Sequence, residues 1–372
     1  MKKQVSFLVG LMACLGLVVS TAQAQSYSVK DLGLVKGMDR SEAGALNNQE
    51  HVAGTAWSGT HSCAFHYYKE FMEDAGGVDS RGFGINSSNI VVGDTYFNNF
   101  SALALSHAAL FKGGVAHDLG VLKGHLFSRA NSINAQGQIV GYSGTVRDGE
   151  LSRAFIWTGE TGMIDIGTLG GPYAQAMAIN DAGFITGTAS VQDMSAILRT
   201  HAFIYQPLSS SERYSEPMRD LGTLGGLSSY GTAINASNHV AGYSQFSPSD
   251  NNVHAFLYNG KKMIDLGNVN KALPTDTTVA LGLNNSDQVV GFRYFVGRDR
   301  TQQGAFVWMP NAKGVPQMFD LNKLIGAAAK NYWLLSATAI NDAGQIVVSA
   351  LDIYNGSAHA LLLTPLAPAL EE

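Results

Sequence analysis

Seven asparagines, each preceded by Leu or Ile, recur at Asn47, Asn86, Asn134, Asn180, Asn235, Asn284 and Asn341. Seven residues after six of them stands a glycine, at Gly54, Gly93, Gly141, Gly187, Gly242 and Gly291, and Val348 takes that place in the last copy. An offset kept this often marks one structural unit copied along the chain. Two further landmarks keep the same phase. An aspartate follows a short apolar stretch at Asp31, Asp74, Asp118, Asp165, Asp220, Asp265 and Asp320, and a second apolar segment opens at Cys63, His107, Arg153, His201, His254, Gly304 and His359. The aspartates are 43, 44, 47, 55, 45 and 55 residues apart, which allows one supersecondary unit per period and falls in the range of propeller blades.

Within a copy, runs of Val, Ile, Phe, Tyr and Trp alternate with Gly, Asn, Asp and Ser, the composition of short strands joined by turns. In the fifth copy the expected strands are a, ending at Ile234; b, from about His239 to Ser244; c, Ala255 to Tyr258; and d, Lys262 to Leu266. The a-to-b turns begin with the landmark Asn and place Glu50, Asn89, Gly137, Gly183, Asn238, Asp287 or Gly344 three residues later. Gly and Asn tolerate a left-handed backbone best, and a leading Asn bonds its own backbone two residues on. Each unit is therefore expected to be a four-stranded antiparallel meander.

The chain ends imply closure. The last copy has strands a, b and c and lacks d, whereas residues 27–33 read as a strand d with no c before it. Pairing the two gives a seven-bladed, all-β propeller with no open edge, built as a single domain over residues 25–372.

Before that domain, Lys2 and Lys3, the apolar run Val5 to Val19 and then Ala22-Gln23-Ala24 read as a signal peptide, residues 1–24, cleaved after Ala24. A lipobox at Leu11-Met12-Ala13-Cys14 competes with it, but the apolar residues continue past Cys14 to the better site. The protein is thus expected to be secreted or periplasmic. Without the leader only Cys63 remains, so stability must come from a core rather than disulfides. A net charge of -5 with 14% charged residues argues against a nucleic-acid partner, which would favour a basic face. No later apolar run approaches membrane-spanning length, and a soluble monomer is expected.

The tripeptide His-Ala-Phe at His201 to Phe203 and His254 to Phe256, with the stretches Asp220 to Gly226 and Ile166 to Gly171, resembles the extracellular HAF-repeat family. The resemblance covers essentially the whole mature chain and implies an exported repeat protein. It assigns no activity. Cys63 in the His place, Glu73 to Gly77 in the second landmark stretch and Val348 for glycine depart from the pattern and weaken any claim that every copy binds the same ligand.

The repeated polar residues have ordinary structural readings. An aspartate ending a strand before glycine caps a turn through backbone N–H groups, although seven on a ring would also suit cations. The histidines at 107, 201, 254 and 359 would sit on separate blades, which favours hydrogen-bonded structural roles over zinc. No D-x-D-x-D-G loop, G-x-S-x-G elbow, H-E-x-x-H helix, sialidase-type Asp-box or paired W-D signature is present, and no cofactor motif. Cys63 reads as a packed residue. Function should lie where copies differ, in the longer b-to-c loops. These carry Trp57, Tyr96, Phe97, Phe100, Phe246, Tyr294, Phe295 and Tyr354 with Arg293, Arg298 and Arg300. From them we take Trp57, Tyr96, Phe97, Phe246, Arg293, Tyr294, Arg298 and Tyr354 as candidate ligand contacts. Flat aromatics beside hydrogen-bonding groups suit a glycan, peptide or protein partner; the competing role is to cover blade ends. The reading is an exported, non-catalytic binding or scaffold protein, with a glycan-cleaving hydrolase or lyase and a cell-surface structural or adhesion module as alternatives. Two insertions stand out: residues 206–217, expected as a loop, and residues 321–335, expected to hold a short helix.

Overall fold

The computed structural model describes residues 26–77, 79–97, 105–145, 151–192, 199–206, 218–249, 252–269, 276–296, 301–311 and 313–367. The leader, Cys14, Phe100, Arg298, Arg300 and nearly all of the 206–217 insertion lie outside them. Seven four-stranded antiparallel sheets form a seven-bladed β-propeller. In blade 5 the strands run Ser229–Ile234, Val240–Gln245, Val253–Tyr258 and Met263–Asp265, paired in the order a-b-c-d. Blades 1 to 4 span residues 40–76, 81–118, 127–165 and 170–220, and blade 6 spans 277–320. The a strands of successive blades touch one another in an unbroken circuit, so they form the inner wall around the axis.

Blade 7 is composite. Strands Tyr332–Ile340, Ile346–Asp352 and Ala358–Pro365 are completed by Tyr27–Asp31, whose register runs from Tyr27 opposite Pro365 to Asp31 opposite Leu361. Tyr27 is buried, and burial pushes its hydroxyl up to about 12. The insertion before this blade forms two 3-10 turns, Leu321–Lys323 and Gly326–Lys330, rather than one helix. Asp320 caps the first through the Asn322 amide, and Gly326, at φ 51, breaks the run between them.

The core follows from the A-F pair of each copy. Ala64, Ala108, Ala154, Ala202, Ala255, Ala305 and Ala360 are fully buried, as are Phe65, Phe155, Phe203, Phe256 and Phe306, with Ala109 and Leu361 in the remaining two Phe places. A small residue faces one neighbouring blade and a large one the other, which lets the sheets interdigitate. The landmark glycines answer a different need. Strand a shifts register beside each of them, and a Cβ on Gly54, Gly93, Gly141, Gly187, Gly242 or Gly291 would stand only 1.7 to 2.2 Å from a strand a carbonyl oxygen. In blade 7 strand a carries a second shift, between Leu334 and Ser336, and there the fully buried Val348 is accommodated.

The landmark asparagines join the blades to one another. Asn47 donates through Nδ2 to the carbonyl of Asn86 at 2.9 Å, Asn86 to Asn134 at 3.1 Å, and Asn134 to Asn180 at 3.1 Å. The series continues from Asn180 to Asn235 at 2.9 Å, Asn235 to Asn284 at 3.1 Å, Asn284 to Asn341 at 3.0 Å, and Asn341 back to Asn47 at 3.3 Å. Seven side chains thereby close a complete hydrogen-bonded ring. Each Oδ1 meanwhile accepts from its own turn, as Asn235 does from the Ser237 and His239 amides, both at 3.0 Å. The left-handed residue expected in each turn is found at every one, with φ between 57 and 83.

Candidate functional site: the b-to-c loop face

Most repeated polar groups are consumed by the architecture. Every landmark aspartate accepts through Oδ1 from the backbone amide two residues on, at 2.7 to 3.0 Å. Four of them also take a histidine Nδ1 from their own blade or the strand completing it: His107 with Asp118, His201 with Asp220, His254 with Asp265 and His359 with Asp31. Arg153 does the same for Asp165. Burial alone would raise the carboxyls of Asp220 and Asp265, but the histidine bond and the glycine amide outweigh it and hold both below the ordinary value. Among the described residues no three His, Cys, Asp or Glu side chains converge as metal ligands. Burial first, and then Asp74, push the Cys63 thiol up to about 12, which leaves it a poor nucleophile.

A serine or threonine on strand a, or just before it at Ser80, makes a latch. Ser80, Ser128, Ser229, Thr278 and Ser41 each accept the strand c alanine amide of the preceding blade and donate to the glycine carbonyl after its aspartate. The signal was available, since a hydroxyl residue stands six positions before the landmark Asn in five copies.

At the a-to-b end of the axis the asparagine ring opens into a cavity of about 570 Å³. Ile85, Ile133, Ile179, Ile234, Ile340, Leu46 and Leu283 wall it, and turn residues such as Asp181 and Asp342 form its rim. Asp342 is fully engaged there, accepting from the Asn285 amide and from the side chains of Asn285 and Asn48. This end is built of near-identical turns, so chemical variety lies at the opposite end, on the face of the b-to-c loops.

The candidate residues separate on that face. Phe97 and Phe246 lie against the rings of His107 and His254, at 6.3 and 4.4 Å between centroids, and so cover two His–Asp pairs. Trp57 lies next to the end of strand b of blade 1, half-buried between Arg40 and Ser62. Tyr96 stands near Arg81. Arg293 is 6% exposed, bonds Asp320 at 2.9 Å, lies 3.5 Å from Asp276 and covers the Phe295 ring at 3.9 Å. Tyr294 and Tyr354 are the open ones, at 43% and 79% exposure. Arg298 lies outside the described residues.

Blade 6 departs from the other copies beside Tyr294. Its copy has Gly304 where four others have His, and Asp320, left without a histidine, takes Arg293 from strand b instead. The missing side chain lets Phe295, Asn322 and Trp333 close on strand c, at 3.4, 3.6 and 4.0 Å from where a Cβ of residue 304 would stand. A groove of about 460 Å³ runs there between blades 6 and 7, lined by Gln302, Gln303, Trp333, Leu351, Asp352 and Ile353 among others. Trp333 is fixed by an Nε1 bond to the Gln303 carbonyl at 2.8 Å. Tyr294 stands opposite Gln303 in the strand register, and Tyr354 follows Ile353 in a loop tied by the Asp352 carboxylate to the Tyr354 amide at 2.7 Å. Of the predicted residues, Tyr294 and Tyr354 flank this groove, whereas Trp57, Tyr96, Phe97 and Phe246 belong to other blades. Sequence reasoning passed over Gln302 and Gln303, at the end of the sixth b-to-c stretch, because it favoured aromatic and arginine side chains, and over Trp333 because residues 321–335 read as an insertion holding a short helix.

Comparison with known proteins places the repeat. Residues 168–359, from blade 4 into strand c of blade 7, match the family model described as Protein of unknown function (DUF3466). The chain belongs to that family. No curated protein matches its sequence. Among solved structures it is similar to Trypanosoma rangeli sialidase, at 8% identity with a TM-score of 0.36, covering 91% of this chain and 55% of that one. The same enzyme in complex with 2,3-difluorosialic acid, as a covalent intermediate, gives 8% identity and a TM-score of 0.36 over 88% of this chain and 54% of that one. The chain thus spans about half the length of those sialidases. Among the described residues no helix is long and apolar enough to cross a membrane.

Proposed function

We propose that this member of the DUF3466 family is an exported monomeric propeller that holds a glycan on its b-to-c loop face without covalent chemistry. The observation that carries the reading is the groove between blades 6 and 7. It combines an indole fixed at its edge, two carboxamides that donate and accept, and exposed tyrosines at its flanks, the mixture that matches a sugar's C–H faces and hydroxyls. A rigid ring supplies these groups already ordered, which lowers the entropy lost on binding. In this reading the chain is exported after cleavage at Ala24, and its resemblance to HAF-repeat proteins accords with a role in the envelope or outside the cell. Binding of the purified protein to a panel of neutral and charged oligosaccharides tests the reading. We expect at least one to bind without turnover and Tyr294→Ala or Tyr354→Ala to weaken it about tenfold, roughly 1.4 kcal/mol, with the fold intact. Unchanged affinity in both variants removes the groove from the site, and release of shorter sugars would make the protein an enzyme.

A further inference from the structure

A second constellation lies on the inner two strands, a and b, of blades 2 to 5, where copies diverge at two positions: five residues before the landmark Asn and one residue after the landmark Gly. Blade 2 places Arg81 opposite Asp94 there, and the pair is neutralised, with Arg81 Nε 2.8 Å from Asp94 Oδ1 and the Ser106 hydroxyl 3.2 Å from Oδ2. Blade 3 places Arg129 opposite Tyr142. The Arg129 guanidinium lies over the Phe83 ring of blade 2 at 3.5 Å from the centroid. It has no ion pair among the described residues, and its Nε is buried without a hydrogen-bond partner. Buried donors are ordinarily satisfied, and a half-buried guanidinium is ordinarily paired.

Tyrosines continue the wall. Tyr230 and Tyr243 of blade 5 stack at 4.7 Å with their planes 16° apart. Tyr173 of blade 4 is close enough to Tyr142, Tyr230 and Tyr243 that, after burial, all three help to push its hydroxyl up; burial followed by Tyr230 takes Tyr243 up to about 12. Tyr173 and Tyr243 therefore stay neutral O–H donors at ordinary pH, and donors of this kind accept an anion beside them without repelling it. Among the described residues the wall offers one positive charge without an ion pair, a set of phenols and several half-buried aromatic faces.

We propose that this wall is a carboxylate-binding subsite and that the glycan held on the b-to-c face is an acidic one, a chain containing hexuronate. The inference rests on the glycan reading above and adds the ligand's charge. Arg129 takes the carboxylate through its unoccupied N–H groups, and the tyrosines meet the sugar's faces and hydroxyls. An acidic peptide side chain would use the guanidinium and leave the tyrosine row without a partner, which favours the sugar.

Calorimetric titration of the full chain with an oligogalacturonate and with its methyl ester, which removes the charge and keeps the sugar, tests this. The free acid should bind about tenfold or more tightly than the ester, and the preference should shrink as salt rises. Arg129→Gln should erase the preference with the fold intact by circular dichroism, although loss of the contact with the Phe83 ring should lower the thermal midpoint by a few degrees. Tyr173→Phe, a gentler change, should weaken the acid a few-fold. Equal affinity for acid and ester, a preference that survives Arg129→Gln, or a polyglutamate peptide binding as well as the uronate each overturns the proposal. If neutral sugars bind in a Tyr294-dependent way and uronates do not, this inference falls and the groove stands. If no sugar binds, both fall.

Discussion

A single methyl group is enough to test why six copies keep a glycine in strand b. At Gly242 an added Cβ would stand 2.0 Å from the Tyr230 carbonyl oxygen and 2.8 Å from the Phe256 ring. Neither a strand backbone nor a fully buried ring can retreat far, so Gly242→Ala should cost about 1–3 kcal/mol, read as a lowered denaturant midpoint with an unchanged slope. A parental midpoint would mean that the bulge in strand a relaxes freely. The asparagine ring shows compensation at the same scale. Where the next blade offers Asn89, Asn238 or Asp287, the second Nδ2 hydrogen of Asn47, Asn180 or Asn235 goes there. Where the next turn has Gly183 or Gly344, the chain supplies Gln138 or Gln288 four residues after its own Asn to accept instead. The asparagines and their turn chemistry were legible in the sequence. Their bonds to the next blade were not, because a turn residue gives no sign of what lies across a gap.

At the scale of one element, the first blade carries a titratable row. His51, buried beside the first a-to-b turn, shares a hydrogen bond with His66 of strand c, Nδ1 to Nε2 at 2.8 Å, and stacks on Tyr68 at 4.1 Å. Burial lowers both imidazoles from 6.5; His66 and Lys69 add to the effect on His51, and Glu73 opposes it on His66. A histidine harder to protonate folded than unfolded contributes stability that is whole above 6.5 and is lost as pH falls through that value toward the folded one. The thermal midpoint should therefore drop between about pH 7 and pH 5, and His66→Gln should flatten that slope. A profile identical in the two proteins would exclude the pair as its source. Blade 6 shows the complementary lesson. Gly304 and Arg293 look like unrelated departures in sequence, yet Arg293 gives Asp320 the partner that Gly304 cannot, a link visible only once strands b, c and d are side by side.

For the whole molecule, closure depends on five residues far from their partners in sequence. Tyr27–Asp31 supplies the outer strand of blade 7, and without it Ala358–Pro365 becomes an exposed edge. A chain starting at residue 33 should unfold at a lower temperature and self-associate, seen by calorimetry and size-exclusion chromatography, since an open strand invites pairing with another. Unchanged behaviour would show that the asparagine ring alone holds the circle shut.

The period, the turn residues and the unmatched strands at the two ends were all local properties of the chain, and they determined the blade, the number of blades and how the ring closes. Those signals are legible because side-chain alternation, left-handed turn positions and repeat length act within about forty residues. Tertiary structure decided which groups the latches join, the pairing of Arg293, the groove beside Trp333 and the seat of Arg129 above Phe83. Each depends on which side chains from different blades reach the same point around the axis, and that distance is set by the packing of sheets rather than by any spacing along the sequence.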